Sequence, residues 1–122
     1  MSGRKYRLTA LADADIADIL AHTIREFGER QFELYGALMD KAARMIGEDP
    51  FRPSSRARDE LGESVRSFHV ELAADRKGAA SHVLYYVPGA LDNGTQGAII
   101  LRVLWDGMEP RRRVERGLAE RE

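Results

Sequence analysis

Arginines carry the most distinctive chemistry in this sequence. Arg102 interrupts the apolar run "AIILRVLW", Arg66 lies within "VRSFHVEL", and Arg111, Arg112 and Arg113 follow one another after Pro110. A guanidinium presents five donors in a planar fork that suits carboxylates and phosphates, and inside an apolar strand it needs a partner, because an unpaired buried charge is costly. Two readings of Arg102 follow: it pairs with an Asp or Glu of the same fold, or it floors a cationic groove awaiting a second molecule. The Arg111–Arg113 run reads either as a solvated face or as a contact surface, for an acidic protein first and for phosphate second. Glu115, Glu120 and Glu122 dilute its charge and weaken the case for nucleic acid.

Other reactive groups form no familiar constellation. His22 has no His or Cys four residues on, and His69 with His82 lacks a third ligand, so no metal site is expected and the histidines read as structural or surface groups. Asp13, Asp15 and Asp18 fall on a helix and read as its solvent face. Neither G-x-S-x-G nor S-x-x-K is present, nor a Walker loop or dinucleotide fingerprint. The sequence lacks cysteine, which removes disulfide and thiolate chemistry. No catalytic residue and no cofactor are therefore nominated, and these residues give classical small-molecule catalysis no support.

Composition sets the frame. A chain of 122 residues supports a single domain, 1–122, with one real core. With 43% hydrophobic and 32% charged residues it reads as an ordinary globular protein. The formal net charge of -1 provides no overall field toward nucleic acid or membrane, so any basic function is local. No apolar stretch follows the basic residues of "MSGRKYRLTA", and none approaches the roughly 20 residues of a membrane span, so a cytoplasmic protein is expected.

The elements that must hold these residues follow from periodicity. "KYRLT" alternates like a short strand. Ile16, Ile19, Leu20, Thr23, Ile24 and Phe27 share one helical face, with Thr9 placed as N-cap and Gly28 as the stop. A second stripe, Phe32, Tyr35, Met39, Ala42, Ala43 and Ile46, ends at Gly47 and Pro50. So short a link predicts an antiparallel helical hairpin that needs a sheet beneath it. Residues 48–63 read as a surface loop, anchored by Leu61 and Phe51. Strands are predicted over 65–72, 81–87 and 97–105, joined by a polar loop at 73–80 and by a turn at Asn93-Gly94. Alternation in the last strand places Ile99, Leu101, Val103 and Trp105 on one face, and Ile100, Arg102 and Leu104 on the other. Arg66 is then available beside Arg102 on the face the hairpin leaves open. The predicted fold is α+β, in the order βααβββα: a strand, a helical hairpin packed on an antiparallel β-meander, and a short C-terminal helix that Pro110 begins.

In order and spacing, several stretches resemble the ParE toxins of bacterial ParD–ParE toxin–antitoxin systems, within the RelE/ParE superfamily. They are "YRLTALADADIADILAHTIREFGERQ", "GEDPFRP", "GESVRSFHV", "HVLYYV" and "AIILRVLWDGME", and together they cover roughly Tyr6 to Met108. The resemblance implies a toxin that inhibits DNA gyrase by binding, serves plasmid stabilisation, and is neutralised by a ParD-like antitoxin in a hetero-oligomer. It implies no sequence-specific DNA recognition by this chain.

RelE relatives instead cleave mRNA on the ribosome with basic residues and often a late Tyr or His. Arg66 and Arg102 match superfamily positions for strand arginines. However, Trp105 stands where many members carry His, and neither Tyr nor His follows Met108. This favours the ParE reading; the alternatives are a ribosome-dependent endonuclease and a non-toxic member that keeps antitoxin binding. Target-binding candidates are Arg66, Arg102, Trp105, Arg111, Arg112 and Arg113. Antitoxin-binding candidates are Ile16, Ile19, Tyr35, Met39 and Arg102. The 73–80 loop is longer than is typical between the middle strands of the family.

Overall fold

The computed structural model describes residues 4–121. Strand β1 (Tyr6–Leu8) leads into the helical segment α1 (Ala10–Glu48). Four further strands follow, β2 (Arg56–Ala57), β3 (Arg66–His69), β4 (His82–Ala90) and β5 (Gln96–Trp105), and helix α2 (Arg111–Ala119) comes last. Single 3₁₀ turns at Asp59–Leu61 and Val70–Ala73 flank β3. The fold is α+β, with one five-stranded mixed sheet in the order β1-β5-β4-β3-β2. Strands β2 to β5 are antiparallel neighbours, while β1 pairs in parallel with β5.

Helix α1 starts where the capping chemistry predicts. The Thr9 hydroxyl accepts from the Ala12 amide at 3.0 Å and donates to the Leu101 carbonyl at 2.8 Å, so one side chain caps the helix and ties it to β5. Gly28 interrupts the helix with φ 87° and ψ 176°, a conformation open almost only to glycine. A Cβ placed on Gly36 would lie 3.8 Å from both δ-methyls of Leu20. A straight helix would hold residues 20 and 36 about 24 Å apart, so the two halves of α1 touch across the break.

Both faces of the sheet are covered. Met39, Ala42, Ala43 and Ile46 of α1 pack with Phe68, Leu84, Tyr86 and Ile100 on one face. On the other, Val114 and Leu118 of α2 pack with Leu61, Val65, Tyr85, Val87 and Leu101. A bulge in β5 moves residues between these layers. Tyr85 opposes Arg102 and Tyr86 opposes Ile100, so Leu101 has no partner on β4. Val103 consequently joins Ile100 on the α1 face, while Leu101 and Leu104 lie under α2, against the simple alternation expected for this strand. Gly117 lets α2 approach here, since a Cβ at that position would come within 2.7 Å of the Leu101 carbonyl oxygen.

Three sequence-based boundaries change. The 48–63 stretch is not all loop: it holds β2 and the Asp59–Leu61 turn, and Leu61 is buried as predicted, whereas Phe51 is 67% exposed. The strand expected over 65–72 stops at His69, because the chain turns into 3₁₀ geometry at Val70. The strand expected over 81–87 continues through Pro88 to Ala90.

Candidate functional site

The open edge of β5 beyond β1 organises the chemistry. Asp15, on the first half of α1, reaches this edge and accepts from Arg102 Nε and Nη2 at 2.8 Å each. The same carboxylate accepts from the Val103 amide at 3.0 Å. Arg102 Nη1 donates to the Arg113 carbonyl at 3.2 Å, so the guanidinium also ties α2 to the strand. The two side chains are only 11% and 14% exposed. Of the two readings of Arg102, the structure adopts internal pairing, and Asp15 is not on a solvent face. The Asp15 carboxylate holds the Arg102 guanidinium above its ordinary pKa despite burial.

Arg66 is not beside Arg102. It opposes Tyr86 and Arg102 opposes Tyr85, so the two arginines project to opposite faces of the sheet with β4 between them. Arg66 donates to the Ser55 hydroxyl at 2.8 and 3.1 Å and lies over the Phe51 ring at 5.3 Å. Arg111 donates to the Glu60 carbonyl at 2.8 Å, and Arg113 to the Glu109 carbonyl at 3.1 Å. Arg112 is exposed, with no hydrogen-bond or ion-pair partner among the described residues. The three-arginine run is thus split: two members brace α2 and one faces water.

A cleft of about 680 Å³ opens between both halves of α1 and the end of the sheet. Ile19, Thr23, Phe27 and Tyr35 form one wall, and Gly78 to His82 with Trp105 the other. Phe27 and Trp105 stand at its rim, 66% and 53% exposed. The Trp105 indole lies over Gly107, where any side chain would come within 2.5 Å of the ring. A smaller hollow that shares Asp18, Ile19, His82 and Trp105 extends the cleft toward Arg113. Ile16, Ile19 and Tyr35 are half-buried, so parts of each remain reachable, but Met39 is 4% exposed and belongs to the core, not to a binding surface.

Tyr35 reaches into the cleft wall. Its hydroxyl lies 2.6 Å from His82 Nδ1, to which it donates when that nitrogen is unprotonated, and accepts from the Ser81 amide at 3.2 Å, with the two rings edge-on at 5.6 Å. Burial pushes the His82 imidazole below its ordinary pKa, opposed by the nearby Asp106 carboxylate and reinforced by His69 and His22. Burial likewise raises the Tyr35 phenol. On the opposite face of the sheet, His69 Nδ1 accepts from the Glu71 amide, which leaves Nε2–H to donate to Asp106 at 2.9 Å. That face holds a second hollow, of about 490 Å³, lined by Arg56, Arg58, His69, Tyr85 and Asp106 among others.

Sequence reasoning missed Asp15, Asp106 and the cleft itself. Asp15 did give a signal, since it precedes Ile16 at the margin of the apolar stripe, where a short carboxylate can reach a neighbouring strand. The cleft gave none, because it is lined from α1, the 78–82 stretch and Trp105.

Among the described residues there is no cluster of three or more potential metal ligands and no helix long and apolar enough to cross a membrane. No curated protein matches the chain. The family model described as the ParE toxin of the type II toxin–antitoxin system parDE matches residues 6–110, which include β1 through β5 and all the cleft residues. The chain therefore belongs to the ParE toxin family of type II toxin–antitoxin systems.

Proposed function

We propose that this chain is the toxin of a type II pair, that it inhibits DNA gyrase in the cytoplasm by binding, and that a ParD-like antitoxin neutralises it. The family match across residues 6–110 carries this reading. The geometry supports a binding protein: an apolar cleft with two exposed aromatic rings at its rim is the type of surface that takes a partner polypeptide. The two halves of α1 act as the antiparallel pair that presents this surface. Because Arg102 is committed to Asp15, target contact shifts to groups that remain accessible, with Trp105 and Arg112 first among them. Antitoxin contact falls to Ile16, Ile19, the exposed side of Tyr35 and the rim rings of Phe27 and Trp105, so that the antitoxin covers part of the target surface.

One observation favours a second reading. The hydrogen-bonded His69–Asp106 pair lies beside Arg56, Arg58 and Tyr85 in one hollow, which sets an acid–base pair among arginines, the combination that RNA cleavage of the RelE type would require. Induced expression with and without the adjacent gene, followed by a supercoiling assay with purified gyrase, separates the cases. Gyrase inhibition predicts filamentous cells, DNA-damage signalling and loss of supercoiling in vitro, all reversed by the neighbouring gene product. Arrest of translation within minutes, with supercoiling intact, favours the nuclease. Normal growth would leave a non-toxic member that retains antitoxin binding.

A further inference from the structure

The second half of the stretch from Ala74 to Ser81, Gly78 to Ser81, forms one side of the 680 Å³ cleft, and a run of hydrogen bonds holds both ends of the stretch. At the entry, the Glu71 amide donates to His69 Nδ1 and the Glu71 carboxylate accepts from the Gly78 amide at 2.9 Å. His69 Nε2–H donates to Asp106, and the Asp106 amide donates to the Ser81 carbonyl at 2.9 Å. At the exit, the Ser81 amide donates to the Tyr35 hydroxyl, which lies 2.6 Å from His82 Nδ1 and donates to it when that nitrogen is unprotonated. Little else secures the middle of the stretch: Asp75, Arg76, Lys77 and Gly78 are all exposed. We infer that residues 74–81 form a strap over the cleft, latched by the Tyr35 hydroxyl, and that protonation of His82 releases the latch.

The chemistry is that of one lone pair. With its proton on Nε2, neutral His82 offers Nδ1 as an acceptor for the Tyr35 proton, which leaves a phenol lone pair for the Ser81 amide. An imidazolium has no acceptor. Its Nδ1–H then takes the side of the phenol oxygen that the Tyr35 proton held, and that proton, kept near the ring plane, turns toward the Ser81 amide and weakens its hydrogen bond. Charged and titratable groups face His82 from every packed element. Asp18, His22 and Tyr35 come from α1, Asp106 and the Asp15-bound Arg102 from β5 and its end, and Arg113 from α2, while His69 of β3 acts through charge from the opposite face of the sheet. Asp106 favours the imidazolium, while burial and the other two histidines oppose it, so the latched form is the neutral one.

Limited trypsin cleavage at Arg76 and Lys77 of the full chain reads strap opening directly, when normalised to a free peptide of residues 73–81. Cleavage of the wild type should be at least about fivefold faster near pH 5 than near pH 8, on either side of the ordinary imidazole value of about 6.5. Tyr35→Phe should be fast at both values. His82→Asn keeps an acceptor oxygen close to the Nδ1 position and does not titrate, so it should be slow at both. Equal wild-type rates at the two pH values, a Tyr35→Phe protein as slow as the wild type near pH 8, or persistent pH dependence in His82→Asn would each overturn the inference. The wild-type comparison stands even if a variant fails to fold.

Discussion

Asp15 does more than its type and position suggest. One carboxylate satisfies a guanidinium and a strand amide together, so its removal leaves a nearly buried charge and an open β5 edge. Asp15→Ala should cost about 3 kcal/mol in urea unfolding, the scale of a broken buried pair. Replacing both partners, as Asp15→Leu with Arg102→Met, should recover most of that loss, because an apolar pair leaves no orphan charge. A double variant no more stable than Asp15→Ala would refute this account of Arg102. His82 gives the second prediction at this scale. Its pKa is depressed in the folded state, mainly by burial, so the unfolded chain binds a proton more readily. The stability this adds is complete above the unfolded value of about 6.5 and is lost as pH falls from there toward the folded value. Urea midpoints measured across that interval should decline with acid in the wild type, and the decline should be smaller in His82→Asn.

At the scale of elements, two glycines decide how the helices sit. Gly28 makes no close contact that a Cβ would disturb, so its role lies entirely in its backbone angles. Gly28→Ala should therefore destabilise the chain by about 1–3 kcal/mol with no steric clash to relieve. A neutral result in thermal unfolding would show that the break tolerates other conformations. Gly117 is the opposite case, with helical backbone but no room, since the Leu101 carbonyl lies where a Cβ would go. Gly117→Val should push α2 off the β5 bulge and raise amide exchange in Arg111–Ala119 while leaving α1 protected. Exchange that rises equally in both helices would instead mean global destabilisation. The helical stripes, the Thr9 cap and the stop at Gly28 were all legible because each depends on neighbours a few residues apart. The bulge at Leu101 was not, because it is set by how β5 must run between Thr9, Asp15 and α2, which touch it from opposite ends of the chain.

For the whole molecule, the surface that remains available is what the packing has not used. Trp105 and Phe27 are exposed, and surface truncations usually change stability by no more than about 0.5 kcal/mol. Trp105→Ala and Phe27→Ala should thus leave the unfolding midpoint nearly unchanged. If the cleft rim is the binding surface, each should weaken capture by a neutralising antitoxin by about tenfold or more, measured by titration calorimetry with the neighbouring gene product. Unchanged affinity in both would move the interface away from the cleft. Arg112→Ala offers the matching test for α2, as the run's one exposed member without a partner among the described residues.

By itself the sequence determined the class of fold, most of its elements and the family, because apolar period, caps and turns are written in short stretches and the family's motifs recur in their usual order. It also narrowed Arg102 to a choice between an internal acid and an external one. Only the tertiary structure decided that choice, separated Arg66 from Arg102, and joined His69, Asp106, Ser81, Tyr35 and His82 into one hydrogen-bonded run. The physical reason is reach. Helical and strand periods fix which side a residue faces within its own element, but a guanidinium's partner depends on which acid the fold brings within about 3 Å of it, and Asp15 is 87 positions away along the chain.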